Sequence, residues 1–201
     1  MRRFTSTFGK MDQRMTALEL PAISGSAASA RRAIGAMFLV VNGGAWLVIG
    51  ILKGYGWLPV AFLAIVAVTL LLFFAALRKF RMNRDAHTAE ATLPETRRTE
   101  SIFNVVNAIQ WSSVFVASIL LIILRHPEWI IPSIIFIVGV HFFPLAVAFR
   151  VPRHYATGIA MTLLAITYPL FASGGPNSPL GCLGAGIILW ASAVAALVRP
   201  A

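Results

Sequence analysis

The sequence predicts an all-α polytopic membrane bundle of six transmembrane helices, and three observations predict it. Of the 201 residues, 58% are hydrophobic and 12% charged, where a soluble domain carries roughly 25% charged residues. The apolar residues gather into continuous windows of about twenty, the length a helix needs to cross ~30 Å of hydrocarbon. They do not alternate as the strands of a membrane barrel do. The 17 Lys and Arg crowd into the segments between windows, nearly all on one side.

Residues 1–30 form a basic leader, expected on the cytoplasmic side. Phe4, Phe8, Met11, Met15 and Leu18 recur at helical spacing with Arg3, Lys10 and Arg14 between them. This reads either as an amphipathic helix on the anionic inner leaflet, ended by Pro21, or as a disordered basic segment. No cleavable signal peptide is expected, because the first long apolar run begins about thirty residues in.

The membrane domain, residues 31–199, holds the windows 33–52, 57–77, 102–124, 129–149, 155–172 and 180–198. The fifth is the shortest and ends near Pro169; if it were re-entrant, the C-terminus would change sides. Only Lys53 and Arg125 fall opposite the other fifteen basic residues. The positive-inside rule then puts both termini in the cytoplasm, as in a bacterial inner-membrane protein, with Trp57 and Trp129 in the outer aromatic belt.

An internal repeat runs through the first four windows. "FLVVNGGAW" (38–46) matches "FNVVNAIQW" (103–111), and Trp57, Ala76, Arg78 and Arg81 match Trp129, Ala148, Arg150 and Arg153. The expected architecture is a duplicated hairpin, 33–81 and 102–153. The thinner match of "AALVR" (195–199) to "AALR" (75–78) leaves residues 155–199 either as a third, diverged copy or as an unrelated pair of helices. Parallel repeats occur in transporters, where substrate sits between them, but duplication builds many other bundles.

Several chemistries are disfavoured. All seven carboxylates, Asp12, Glu19, Asp85, Glu90, Glu95, Glu100 and Glu128, lie in flanks or loops, so no carboxylate relay crosses the membrane. The lone Cys182 allows no intramolecular disulfide and no multi-cysteine metal site. No protease, hydrolase or nucleotide-binding motif is present. No metal, cofactor or enzymatic activity is expected. The net charge of +10 flanks apolar runs, which points to anionic membrane lipid and away from nucleic acid. "GCLGAG" (181–186) opens a window with no strand before it, and reads as small-residue helix packing.

What remains is neutral polar chemistry at matched depth. Asn107 and Gln110 sit about 7 and 12 Å into the third window, and His141 about 12 Å in from the same side. Facing lipid unpaired would cost such groups several kcal/mol. Asn42, Asn107, Gln110 and His141 are therefore expected to form a polar cluster open to the cytoplasm; structural bonding between helices is the competing role for the asparagines. Pro144 deprives the Val140 carbonyl of its helical donor and is expected to kink the helix beside His141. The first copy carries Thr69 and Leu72 at the positions of His141 and Pro144. Arg150, Arg153, His154 and Tyr155 form a cytoplasmic corner that serves either as topology determinant or as a basic mouth for an anionic solute. Tyr168 and Pro169 read as an interface anchor rather than an external gate.

The segment GVHFFPLAVAFRVPRHYATG (139–158) resembles a stretch of small bacterial multi-span membrane proteins that carry H-F-F-P-L-A. The resemblance covers the fourth and fifth windows. It implies a bacterial membrane setting and carries no activity or site residue. The expected role is permeation or sensing of an unknown small solute around His141, by a monomer or homo-oligomer. The alternatives are a non-catalytic scaffold or accessory subunit, and, least supported, a lipid-acting enzyme using His141 or His154.

Overall fold

In the computed structural model the backbone is described over residues 4–91 and 94–198, and the side chains over 25–89 and 101–198. The described residues form six α-helices and no strand: α1 (Phe4–Tyr55), α2 (Pro59–Ala91), α3 (Pro94–Ile123), α4 (Ile130–Ala148), α5 (Arg153–Phe171) and α6 (Leu180–Val198). All but α5 contain a stretch long and apolar enough to cross a membrane.

Local chemistry sets the helix ends. α1 stops at Gly56, whose φ of +73° is the left-handed conformation glycine adopts without steric cost. Pro59 then opens α2, where its missing N–H has no helical acceptor to lose. α3 and α4 end alike, with Arg125 and Arg150 at φ 59° and 53°. The amides that follow, of His126 and Val151, donate back to the Leu121 and Ala146 carbonyls at 2.8 and 3.1 Å. Bonds of this kind satisfy carbonyls that a helix end otherwise orphans.

Two helices outrun their windows. The leader is not a separate element: α1 is one helix of 52 residues and passes through Pro21. The proline removes the bond to the Ala17 carbonyl, at ~3 kcal/mol or more, but helical turns continue on both sides. The apolar stripe of the leader lies outside the described side chains. α2 runs on to Ala91 because residues 78–91, RKFRMNRDAHTAEA, contain no Gly or Pro and are rich in helix formers.

Side by side, the helices stand in the order α2, α1, α6, α5, α4, α3, each antiparallel to the next. Consecutive α2 and α3 are the ends of this row and barely touch. One core cluster joins Ala36, Leu39 and Val40 of α1 to Ala76, Phe142 and the α6 residues Leu189, Ala193 and Ala196. A second joins Ile135, Met161, Ala165, Tyr168 and Ala185. Glycine pairs set the closest approaches. A Cβ on Gly43 of α1 would stand 3.0 Å from the Gly186 carbonyl oxygen of α6, and one on Gly158 of α5 2.9 Å from that of Gly139 of α4. The "GCLGAG" run packs in this way, with Gly181, Cys182, Ala185 and Gly186 buried.

α5 settles two further expectations. It remains helical for 19 residues through Pro169 and lies antiparallel between α4 and α6, so it does not turn back. Its buried face is small and partly polar, Thr157, Gly158, Met161, Ala165, Tyr168 and Pro169, which lowers its mean hydropathy. Tyr168 is not an interface anchor: it is 5% exposed, its ring lies against Gly181, and its hydroxyl donates to the Pro176 carbonyl at 3.3 Å.

The periphery is different. Among the described residues Ala76 is the one buried residue of α2, and α3 has none. Val60, Leu63, Leu71 and Phe74 on α2, and Phe115, Val116 and Ile123 on α3, are more than half exposed.

Candidate functional site: a polar seam and a basic corner

On α3 the half-buried positions include Val106, Asn107, Gln110, Ser113, Val114 and Ala117, recurring every three or four residues as one helix face. α3 packs on α4, so this face forms the seam between them. His141 enters the seam from α4. Its ring lies against the Val106 main-chain carbonyl, and its Nδ1 is buried with no hydrogen-bond partner.

Asn107, Gln110 and His141 thus share the seam, though no hydrogen bond joins their side chains. Asn42 stands apart. Its helix packs on α2 and α6, and its Nδ2 donates to the Phe38 carbonyl of the same helix at 2.9 Å. Pro144 lies off the seam as well. α4 stays helical through it, and Phe136, Val140, Pro144 and Val147 form its exposed stripe. The Val140 carbonyl that Pro144 leaves without a donor belongs to that outward stripe, so kink and imidazole do not form one pocket.

Positions matched by the repeat share orientation but not surroundings. Thr69, the counterpart of His141, faces Gly44 of α1 closely, and its Oγ1 donates to the Ile65 carbonyl at 2.7 Å. Each residue therefore faces the first helix of its own hairpin, Thr69 against Gly44 and His141 against Val106. Trp46 packs against both core clusters, whereas its counterpart Trp111 is 61% exposed.

The corner between α4 and α5 divides in two. Arg150 is exposed in its left-handed turn. Tyr155 is 40% exposed, with its ring 6.2 Å from Phe143. Arg153 and His154 are half-buried. The His154 ring lies 5.7 Å from Phe142, and burial, reinforced by the positive charge of Arg153 and by His141, pushes its pKa down to about 4. Lys79 of α2 reaches the end of α6 and donates to the Leu197 carbonyl at 2.8 Å. Arg32 and Arg153 each stand within electrostatic range of Lys79.

Sequence reasoning missed Arg32 and Lys79 because both read as ordinary topology charges. The signal that could have found them is the alanine run Ala27, Ala30, Ala33 and Ala36, all 0% exposed, which draws neighbouring helices close around Arg32. Trp190 was also missed: its Nε1 donates to the Val40 carbonyl at 3.0 Å. A Trp in mid-window, away from any belt, needs such an acceptor. An open depression of about 390 Å³, lined by Phe74, Leu77, Arg78, Arg81 and Met82, lies on α2 away from the seam. No protein-family model matches the chain, and neither a curated protein nor a solved structure is significantly similar to it.

Proposed function

We propose that the chain is a six-span protein of a bacterial cytoplasmic membrane, with both termini inside. It descends from a duplicated hairpin and passes or senses a small solute at the α3–α4 seam. The uncovered apolar faces of α2 and α3 support insertion, since water tolerates no such surface and lipid does. α5 is included among the spans because it runs the length of its neighbours between two of them. We read the protein as non-enzymatic and without a cofactor.

One observation carries the solute reading: the buried His141 Nδ1 without a partner, at the seam with α3, a helix that has no buried residue among those described. A polar atom in that position needs an acceptor, a donor or a water, and a solute with a matching group would supply it. A second reading, a scaffold or accessory subunit, draws on α3 itself. It has no buried residue among those described, and it exposes Asn104 and Trp111, a surface that a neighbouring membrane protein or a second copy would cover.

Thermal unfolding of the detergent-purified protein against inorganic ions, amino acids, carboxylic acids and phospholipids tests the first reading, with His141→Thr alongside. This variant installs the residue of the first repeat. A ligand that stabilises wild type and not the variant supports a site at the seam. If nothing in the panel shifts wild type, and the variant is merely less stable, the histidine only packs helices and the scaffold reading takes over.

A further inference from the structure

We propose that the α3–α4 seam takes a small uncharged solute bearing hydroxyl or amide groups, held by the Nδ1 lone pair of His141 and the side-chain amides of Asn107 and Gln110. This rests on the reading of the seam as a solute site and adds the chemical class of the occupant. The His141 ring faces the Val106 main-chain carbonyl, which can only accept a hydrogen bond. Nδ1 has no partner, so Nε2 carries the ring proton toward that carbonyl and Nδ1 keeps its lone pair. The Val106 carbonyl lies at the level of Gln110, whose backbone N–H closes the helical turn on it. Gln110 therefore stands beside the ring. Asn107 and Ser113 continue the same half-buried face about one turn to either side. Among the described residues none of these three side chains makes a hydrogen bond.

Charge selects the class. Residues 101–123 of α3 and 130–148 of α4 include no Asp, Glu, Lys or Arg. An ion entering the seam would shed its hydration with no opposite charge on either helix to replace it. A hydroxyl or a primary amide meets no such cost. Its hydrogen satisfies Nδ1, and the Asn107 and Gln110 amides, each both donor and acceptor, take its remaining groups. Size is bounded as well. At the end of the seam where α3 begins, the rings of Phe103 and Phe149 meet edge to face at 6.0 Å, one turn beyond Asn107. In the other direction, the residues one and two turns before His141 on its own face are Ile137 and Ile134, both half-buried. The polar stretch from Asn107 to Ser113 measures about 9 Å, a length that suits molecules the size of glycerol or acetamide.

The test uses the full chain in a neutral detergent and saturation-transfer difference NMR with small probes. Glycerol and acetamide are the uncharged ones; acetate and methylammonium are the charged ones. Wild type should transfer saturation to glycerol or acetamide and to neither ion. Titration of the bound probe should show Gln110→Leu and His141→Leu binding it roughly three- to tenfold more weakly. Asn42→Leu, on a helix away from the seam, should bind as wild type. Should Gln110→Leu fail to fold, Gln110→Met keeps the side-chain volume without the amide and should still bind more weakly. An ion that binds wild type and is lost in His141→Leu overturns the uncharged class and leaves the seam standing as a solute site. Uncharged binding that survives both seam variants, or silence from all the probes, overturns the proposal; the seam reading falls with it only if the thermal panel is silent too.

Discussion

Gly158 of α5 lies beneath the main-chain carbonyl of Gly139 of α4, close enough that a Cβ would stand 2.9 Å from the oxygen and 3.2 Å from Phe142 Cβ. The obstacle is backbone, which cannot rotate away as a side chain can. Gly158→Val should therefore force α4 and α5 apart, at about 1–3 kcal/mol or more for overpacking, and even Gly158→Ala should destabilise. Gly35 is the control: nothing lies within 4 Å of a Cβ there. Gly35→Ala should be neutral or stabilise by roughly 0.5–1 kcal/mol through helix propensity. Melting temperatures of the three variants in detergent check the order. A Gly158→Val protein as stable as wild type would mean that these helices do not cross at Gly139.

The His154 environment gives the protein an acid-sensitive corner. The ring lies 5.7 Å from Phe142, and burial first, then the positive charge of Arg153 and the neighbouring His141, disfavours its protonated form. The folded-state pKa, about 4, lies below the ordinary 6.5, so between these values the unfolded chain binds more protons than the folded one. The resulting loss of stability begins as pH falls through about 6.5 and is complete near pH 4. Melting temperature followed across this range should drop in wild type and drop less in His154→Gln. Equal slopes for the two proteins would show that the ring titrates normally.

How much of this was legible depends on what each feature reports on. Long apolar runs report on the solvent around a helix, so six helices could be read directly. Lateral order could not, because the contacts that fix it are made by residues such as Gly43, Gly139, Gly158 and Gly186, which look alike wherever they fall. The leader was misjudged at Pro21, since one missing hydrogen bond is a smaller loss than ending a long helix. The seam was half legible. Asn107, Gln110 and His141 share it because their spacing keeps them on facing helices, but Asn42 turned out to satisfy its amide on the Phe38 carbonyl. A side chain that can bond its own backbone does not announce its neighbours. Arg32 and Lys79 were invisible as a pair because 47 residues separate them in the chain, and only the alanine packing brings them together.

Thr157 of α5 and Ser192 of α6 share a hydrogen bond of 2.8 Å, and the direction of the protons predicts its worth. Ser192 Oγ also donates to the Ile188 carbonyl at 2.8 Å, which uses its one hydrogen. Thr157 must then be the donor across the interface, with the Arg153 carbonyl at 3.3 Å as its alternative. Ser192→Ala removes the acceptor, but Thr157 falls back on its own helix. Thr157→Val leaves Ser192 still bonded to Ile188. Neither single change strands a buried hydroxyl, so each should cost less than about 1 kcal/mol. A double-mutant cycle should return a coupling near ~0.6 kcal/mol, within the range of interhelical hydrogen bonds in membranes. A coupling near zero would show that the two hydroxyls do not bond in the folded protein, and one well above ~1.7 kcal/mol would assign the pair a larger part in holding α5 to α6 than helix packing implies.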